Sequence, residues 1–207
     1  MIQKTQQIPN ILKVVAFILP LAGLRAQDAG NELNNYAEKK HDLNHKGMIV
    51  LTSWASANII SAGAYFLTNS RQEKCFYAMN TAWGVVNLAI AIPGLLGKEK
   101  KYINKEKLYK DQLKTERVYA INAALDVIYI GGGFGLKEVA KNQSDMNRRA
   151  MLYGFGDSFL IQGSGLLIFD ISMWAVNKKN RYKYLSPIMK NTEISLNLSH
   201  LKVQWKF

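Results

Sequence analysis

Thr52-Ser-Trp54-Ala-Ser-Ala-Asn58 and Thr81-Ala-Trp83-Gly-Val-Val-Asn87 share the pattern T-x-W-x-x-x-N. Each copy lies in an uncharged apolar segment, 48–68 and 76–96, of the roughly 20 residues that a helix needs to cross a bilayer. Positions i and i+4 share one helix face. The first segment therefore lines up Trp54, Asn58 and Ser61, and the second Asn80, Trp83 and Asn87. The short stretch 69–75 between them predicts an antiparallel helical hairpin. Pro93-Gly94 reads as the stop of the second helix.

Working outward, two more apolar segments follow. Residues 118–136 carry Asn122 and Asp126 at i, i+4, then Gly131-Gly-Gly-Phe-Gly135. Those glycines suit either close helix approach, with Gly131 and Gly135 as a G-x-x-x-G pair, or a frayed helix end. Residues 156–176 hold Gln162 near the middle and the i, i+4 pair Asp170 and Trp174. The expected fold class is all-α, a bundle of four transmembrane helices over 48–176.

Polar residues at membrane depth are costly and face protein or water rather than lipid. Trp54, Asn58, Asn80, Trp83, Asn87, Asn122, Asp126, Gln162 and Asp170 are therefore expected to form one polar seam inside the bundle. In the preferred reading the seam fastens the helices, with Asn58 and Asn87 bonded across the hairpin. The alternative is a proton or cation pathway through Asp126 and Asp170, because intramembrane carboxylates default to function.

The flanks differ in character. Residues 1–27 have the basic start, short apolar core and small-residue end of a signal peptide, or form an uncleaved anchor. Residues 28–47 make a polar tail in which His41 and His45 stand at i, i+4, a feasible metal spacing without a third ligand; no metal is expected. Residues 97–117 carry eight Lys/Arg and four Asp/Glu and read as an exposed, partly helical connector lying on the bilayer surface. The basic linker from 177 leads to a tail where Ile194, Leu196 and Leu198, then Val203, Trp205 and Phe207, alternate with polar residues. That period predicts a short amphipathic β-like strand, which needs a partner and fits addition to another protein's sheet edge.

Composition excludes some classes. The net charge of +12 comes from Lys and Arg flanking apolar segments, which suits lipid headgroups rather than the compact basic patch of a nucleic-acid binder. Cys75 is the single cysteine, so no intrachain disulfide forms. No G-x-S-x-G or H-E-x-x-H occurs, and no nucleophile has a neighbouring histidine among the spans; neither enzymatic activity nor a cofactor is expected. The chain is therefore read as an integral membrane protein with both tails periplasmic as the signal implies. Its expected role is a structural or assembly subunit of a larger complex.

Four clusters as a set, His45-Lys-Gly-Met48, Met79-Asn80-Thr-Ala-Trp83, Asn122-Ala-Ala-Leu125-Asp126 and Leu167-Ile-Phe169-Asp170, resemble a family of small four-helix membrane proteins from Bacteroidota-type bacteria with no assigned activity. The resemblance spans about residues 44–176 and implies the four-helix architecture and a bacterial envelope, the inner membrane being favoured over the outer, and nothing about activity.

Overall fold

The computed structural model describes residues 8–102 and 104–189, of which 8–29 are described as backbone only. The main elements are α1 (Ile8–Ile60), α2 (Ala62–Leu67), α3 (Arg71–Leu96), α4 (Lys105–Lys141) and α5 (Met146–Asn180). A π-helical turn over Arg181–Leu185 follows α5 directly. Four helices are long and apolar enough to cross a membrane. No strand occurs among the described residues. The strand expected from Ile194 to Phe207 lies outside them, so the β-like tail gains no support.

Helix boundaries follow local chemistry. Ser70 caps α3 by accepting the Glu73 amide at 3.3 Å, Asn104 caps α4 through Glu106 and Lys107, and Asp145 caps α5 through Asn147 and Arg148. Each cap satisfies amides that the first turn leaves open. Pro93 does not stop α3, which runs on to Leu96. Ser61 marks a one-residue break between α1 and α2, its hydroxyl turned to Asn58 O at 2.6 Å.

The burial pattern is inverted relative to a water-soluble bundle. Ile60, Val85, Ile90, Ile128 and Ile168 are more than half exposed, while Asn80, Asp126, Ser158, Gln162 and Asp170 are buried. Such a surface has its natural solvent in lipid, where apolar side chains gain nothing by turning inward.

α4 packs along α5, α5 packs on α3, and α3 pairs with α1, whereas α3 and α4 barely touch. Small residues set these distances. A β-carbon on Gly84 of α3 would come within 2.7 Å of Ala55 O on α1. Of the glycine cluster on α4, Gly133 meets α5 at Gly156, while Gly131 and Gly135 face open space. The G-x-x-x-G pairing expected of Gly131 and Gly135 is thus replaced by a contact one turn-face away, and the helix does not fray there but continues to Lys141.

The connector also departs from expectation. Residues 105–117 are the first turns of α4, and they do not lie free on a surface. Leu108 is fully buried with Leu33, Tyr36 and Ala37 of α1, Tyr102 and Leu185. α1, α4 and α5 therefore continue past the expected membrane edge as a packed helical extension. Residues 30–47 alone add about 27 Å at 1.5 Å per residue. The segment read as a signal peptide is continuous with α1 from Ile8 onward.

A candidate ligand cleft at the carboxylate pair

The polar residues of the seam separate into two groups. The first is a closed amide cluster. Gln162, with no exposed surface, donates to Asn58 Oδ1 at 2.6 Å and to Asn80 Oδ1 at 2.9 Å. Its own Oε1 accepts from Trp54 Nε1 at 2.9 Å. Ser158, which sequence reasoning missed, donates to Asn80 at 2.7 Å. One side chain of α5 thereby ties α1 to α3. Each interhelical hydrogen bond of this sort is worth on the order of 0.6–2 kcal/mol, so the cluster serves as fastening.

The second group is open. Trp83, Asn87, Asn122, Asp126 and Asp170 line a cavity of about 460 Å³ between α3 and α4, floored by α5. Asn87 does not bond Asn58 across the hairpin; its Nδ2 has no partner. Trp83 Nε1 is likewise buried and unpartnered, and Asp126 Oδ2 and Asp170 Oδ1 are buried with no N–H donor, although the two carboxyls are within hydrogen-bonding reach of each other. The two carboxylates adjoin each other, with Asn122 beside Asp170. Buried polar groups are ordinarily bonded, and an exception asks for an explanation. Four of the side chains that carry such atoms line this one cavity.

Walls and ends are distinct. Edge-to-face contacts of Trp83 with Tyr129 at 4.9 Å and with Phe159 at 5.8 Å close the inner end and bridge α3 to α4. Val86, Ile90 and Leu125 supply apolar sides. At the outer end stand Lys100 and Lys114, and the Lys100 side chain is largely exposed. The cleft thus opens at the same end of the bundle as the helical extension.

A network in the extension continues from that mouth, and none of it was anticipated. Lys40 of α1 pairs with Asp111 of α4, and Tyr102 donates to the same carboxylate at 2.5 Å. Burial pushes the Asp111 carboxyl up, but the Lys40 and Tyr102 hydrogen bonds outweigh it and hold the group below its ordinary value. Arg181 grips Glu116 with two bonds of 2.8 and 3.0 Å, and Gln112 adds a third at 3.0 Å. Tyr119 donates to Asn44 at 3.1 Å, and Asn44 reaches Asn177 at 3.4 Å. Burial, chiefly, raises the Tyr36 hydroxyl well above its usual range. A signal for these residues did exist: Leu108, Gln112, Glu116 and Tyr119 extend the helix face of Asp126 back through the connector.

The His41 and His45 rings are 6.0 Å apart, and no third ligand joins them to form a metal site among the described residues. The partner-binding residues expected in the tail, Ile194 to Phe207, lie outside the described residues.

The profile of a family of unknown function, DUF6992, matches residues 50–171. That stretch is more than half of the chain, and the chain belongs to the family. It encloses the amide cluster and every lining residue of the carboxylate cleft but Met48, and it leaves out residues 30–47 and 174–189 of the extension. No curated protein and no solved structure matches the chain.

Proposed function

We propose that this member of the family is a small membrane transporter or channel subunit that takes up a cation or a proton at Asp126 and Asp170. The observation that carries the reading is a pair of adjoining buried carboxyls, Asp126 and Asp170, lining one cleft with no cationic partner. The two carboxyls lean on each other and on Asn122, and no lysine or arginine among the described residues neutralises them. Neutralising the pair takes a shared proton or a bound cation, since two like charges side by side in a poorly polar medium repel strongly. With both tails periplasmic, the mouth at Lys100 and Lys114 faces the periplasm, and the Trp83–Tyr129–Phe159 contact is the inner gate.

The test is flux into vesicles reconstituted with the full chain, under an imposed proton or sodium gradient. Asp126→Asn and Asp170→Asn are expected to abolish flux while keeping the wild-type thermal midpoint. Undiminished flux in both variants, or no flux above empty vesicles in the wild type, would refute the pathway.

A second reading, assembly into an envelope complex, draws support from the packed extension, which gives a partner a firm surface beyond the bilayer. Recovery of the same partners by intact chain and by chain ending at Met189 would remove the tail strand from that role.

A further inference from the structure

Building on the cation pathway, we infer that the cleft is a binding site for an amphipathic organic amine that carries a hydrogen-bond acceptor, entering between α3 and α4. Three properties of the cleft lead there, and each removes a simpler occupant.

The first is size. A cavity of about 460 Å³ falls in the range of small-molecule sites, about 300–1,000 Å³. A proton needs no such room, and a single water claims only about 30 Å³.

The second is the mixture of polar atoms. Asp126 and Asp170 offer acceptors, but Trp83 and Asn87 line the same space, and their Nε1 and Nδ2 donors have no partner in the protein. Indole nitrogen is a donor alone. A bare metal ion would satisfy the oxygens and be repelled by the N–H groups. An ammonium bearing an ether, hydroxyl or carbonyl oxygen satisfies both sets.

The third is the wall. Val86 and Ile90 of α3 and Leu125 of α4 flank the opening, each more than two-fifths exposed, and the two helices scarcely touch. An apolar body therefore lies against apolar side chains, and beyond the Trp83–Tyr129 contact its route from the bilayer is lateral, between two backbones that stay apart. Trp83 and Tyr129 add ring faces suited to a cation. Lys100 and Lys114, the basic groups of the lining, stand at the mouth, where they leave the carboxylates at depth without a cationic partner.

The experiment is calorimetric titration of the full purified chain with 4-methoxyphenethylamine. The comparison probes are phenethylamine, the neutral alcohol 4-methoxyphenethyl alcohol, the anion 4-methoxyphenylacetate, and sodium chloride. Saturable binding of the amine is expected, with the alcohol and the anion at least about tenfold weaker. Asp126→Asn and Asp170→Asn should weaken the amine by about tenfold or more, and Trp83→Phe should weaken the methoxy probe but not phenethylamine. Should the aspartate variants fail to fold, Ile90→Trp fills the cleft from its lipid side and keeps both carboxylates; it should abolish amine binding at an unchanged thermal midpoint. Equal binding of amine and alcohol, or full binding by Ile90→Trp, overturns the inference. Binding of sodium alone overturns it and leaves the ion pathway standing, whereas amine binding without uptake into vesicles upholds the site and removes transport.

Discussion

Gly133 of α4 and Gly156 of α5 are so close that a β-carbon on either would lie 2.9 Å from the other's carbonyl oxygen. The contact is reciprocal and involves backbone on both sides, so nothing flexible can yield. Alanine at either position should separate α4 from α5 and lower stability by about 1–3 kcal/mol, the usual cost of overpacking. Gly131→Ala and Gly135→Ala meet open space and should instead stabilise by roughly 0.5–1 kcal/mol through helix propensity. Reversible unfolding in mixed micelles reads all four variants; equal effects at Gly131 and Gly133 would contradict the packing.

The repeated motif makes a sharper contrast. Asn58 and Asn87 hold equivalent positions in the two copies, yet one is bonded through the amide cluster and the other faces the cleft with Nδ2 unpartnered. Asn87→Ala is expected to be neutral or mildly stabilising. Gln162→Leu strands Trp54 Nε1 and Asn58 Oδ1 at once, leaves Asn80 with Ser158 alone, and should cost about 1–3 kcal/mol for each buried group left unsatisfied. Thermal midpoints of the two variants, measured side by side, check the division of the seam.

Glu116 and Arg181 form a buried pair, each side chain less than a tenth exposed. Removing one partner leaves an uncompensated charge, with an expected loss of about 3–5 kcal/mol. The double variant Glu116→Leu/Arg181→Met should recover most of that loss, since a well-packed apolar pair often matches a buried ion pair. A double-mutant cycle on unfolding free energy measures this directly. Additive losses would show that the two residues do not act together.

Acid should loosen the extension through Asp111. Its carboxyl is held below the ordinary value of 3.8 by Lys40 and Tyr102, with Lys100 nearby, against the opposing effect of burial. A group whose folded value is depressed contributes stability that is complete above the unfolded value and is lost as pH falls through the folded one. The contribution is therefore present at neutral pH and disappears below about pH 4. Asp111→Asn should be less stable at pH 7 and show a flatter acid limb, followed by hydrogen exchange at Tyr36 and Leu108. An unchanged acid limb would dissociate Asp111 from this behaviour.

Much of this architecture is legible in the sequence because lipid imposes length and period: four uncharged or nearly uncharged stretches, each with polar residues on one face, could scarcely be arranged otherwise. The burial of Asn58, Asn80, Asn87, Asp126, Gln162 and Asp170 follows the same rule. Their division was not legible, since spacing places Asn58 and Asn87 on a face without saying which helix that face meets. Gly133 escaped notice because neither neighbour four positions away is a glycine, and its partner Gly156 is on another helix. The connector misled because its lysines dominate composition, while burial depends on the few positions, Leu108 and Gln112 among them, that follow the helical period inward.

α4 runs unbroken from Lys105 to Lys141, so its outer turns and the wall of the cleft are one rod. In the proposed pathway, a swing of that rod away from α1 and α3 to admit a solute would draw Leu108 from Tyr36 and strain the tether of Asp111 to Lys40. The width of such an opening within the bilayer would thereby be mechanically indexed outside it. A protein or ion that clamps the extension would throttle the site at Asp126 from a distance, with no contact to the occupant itself.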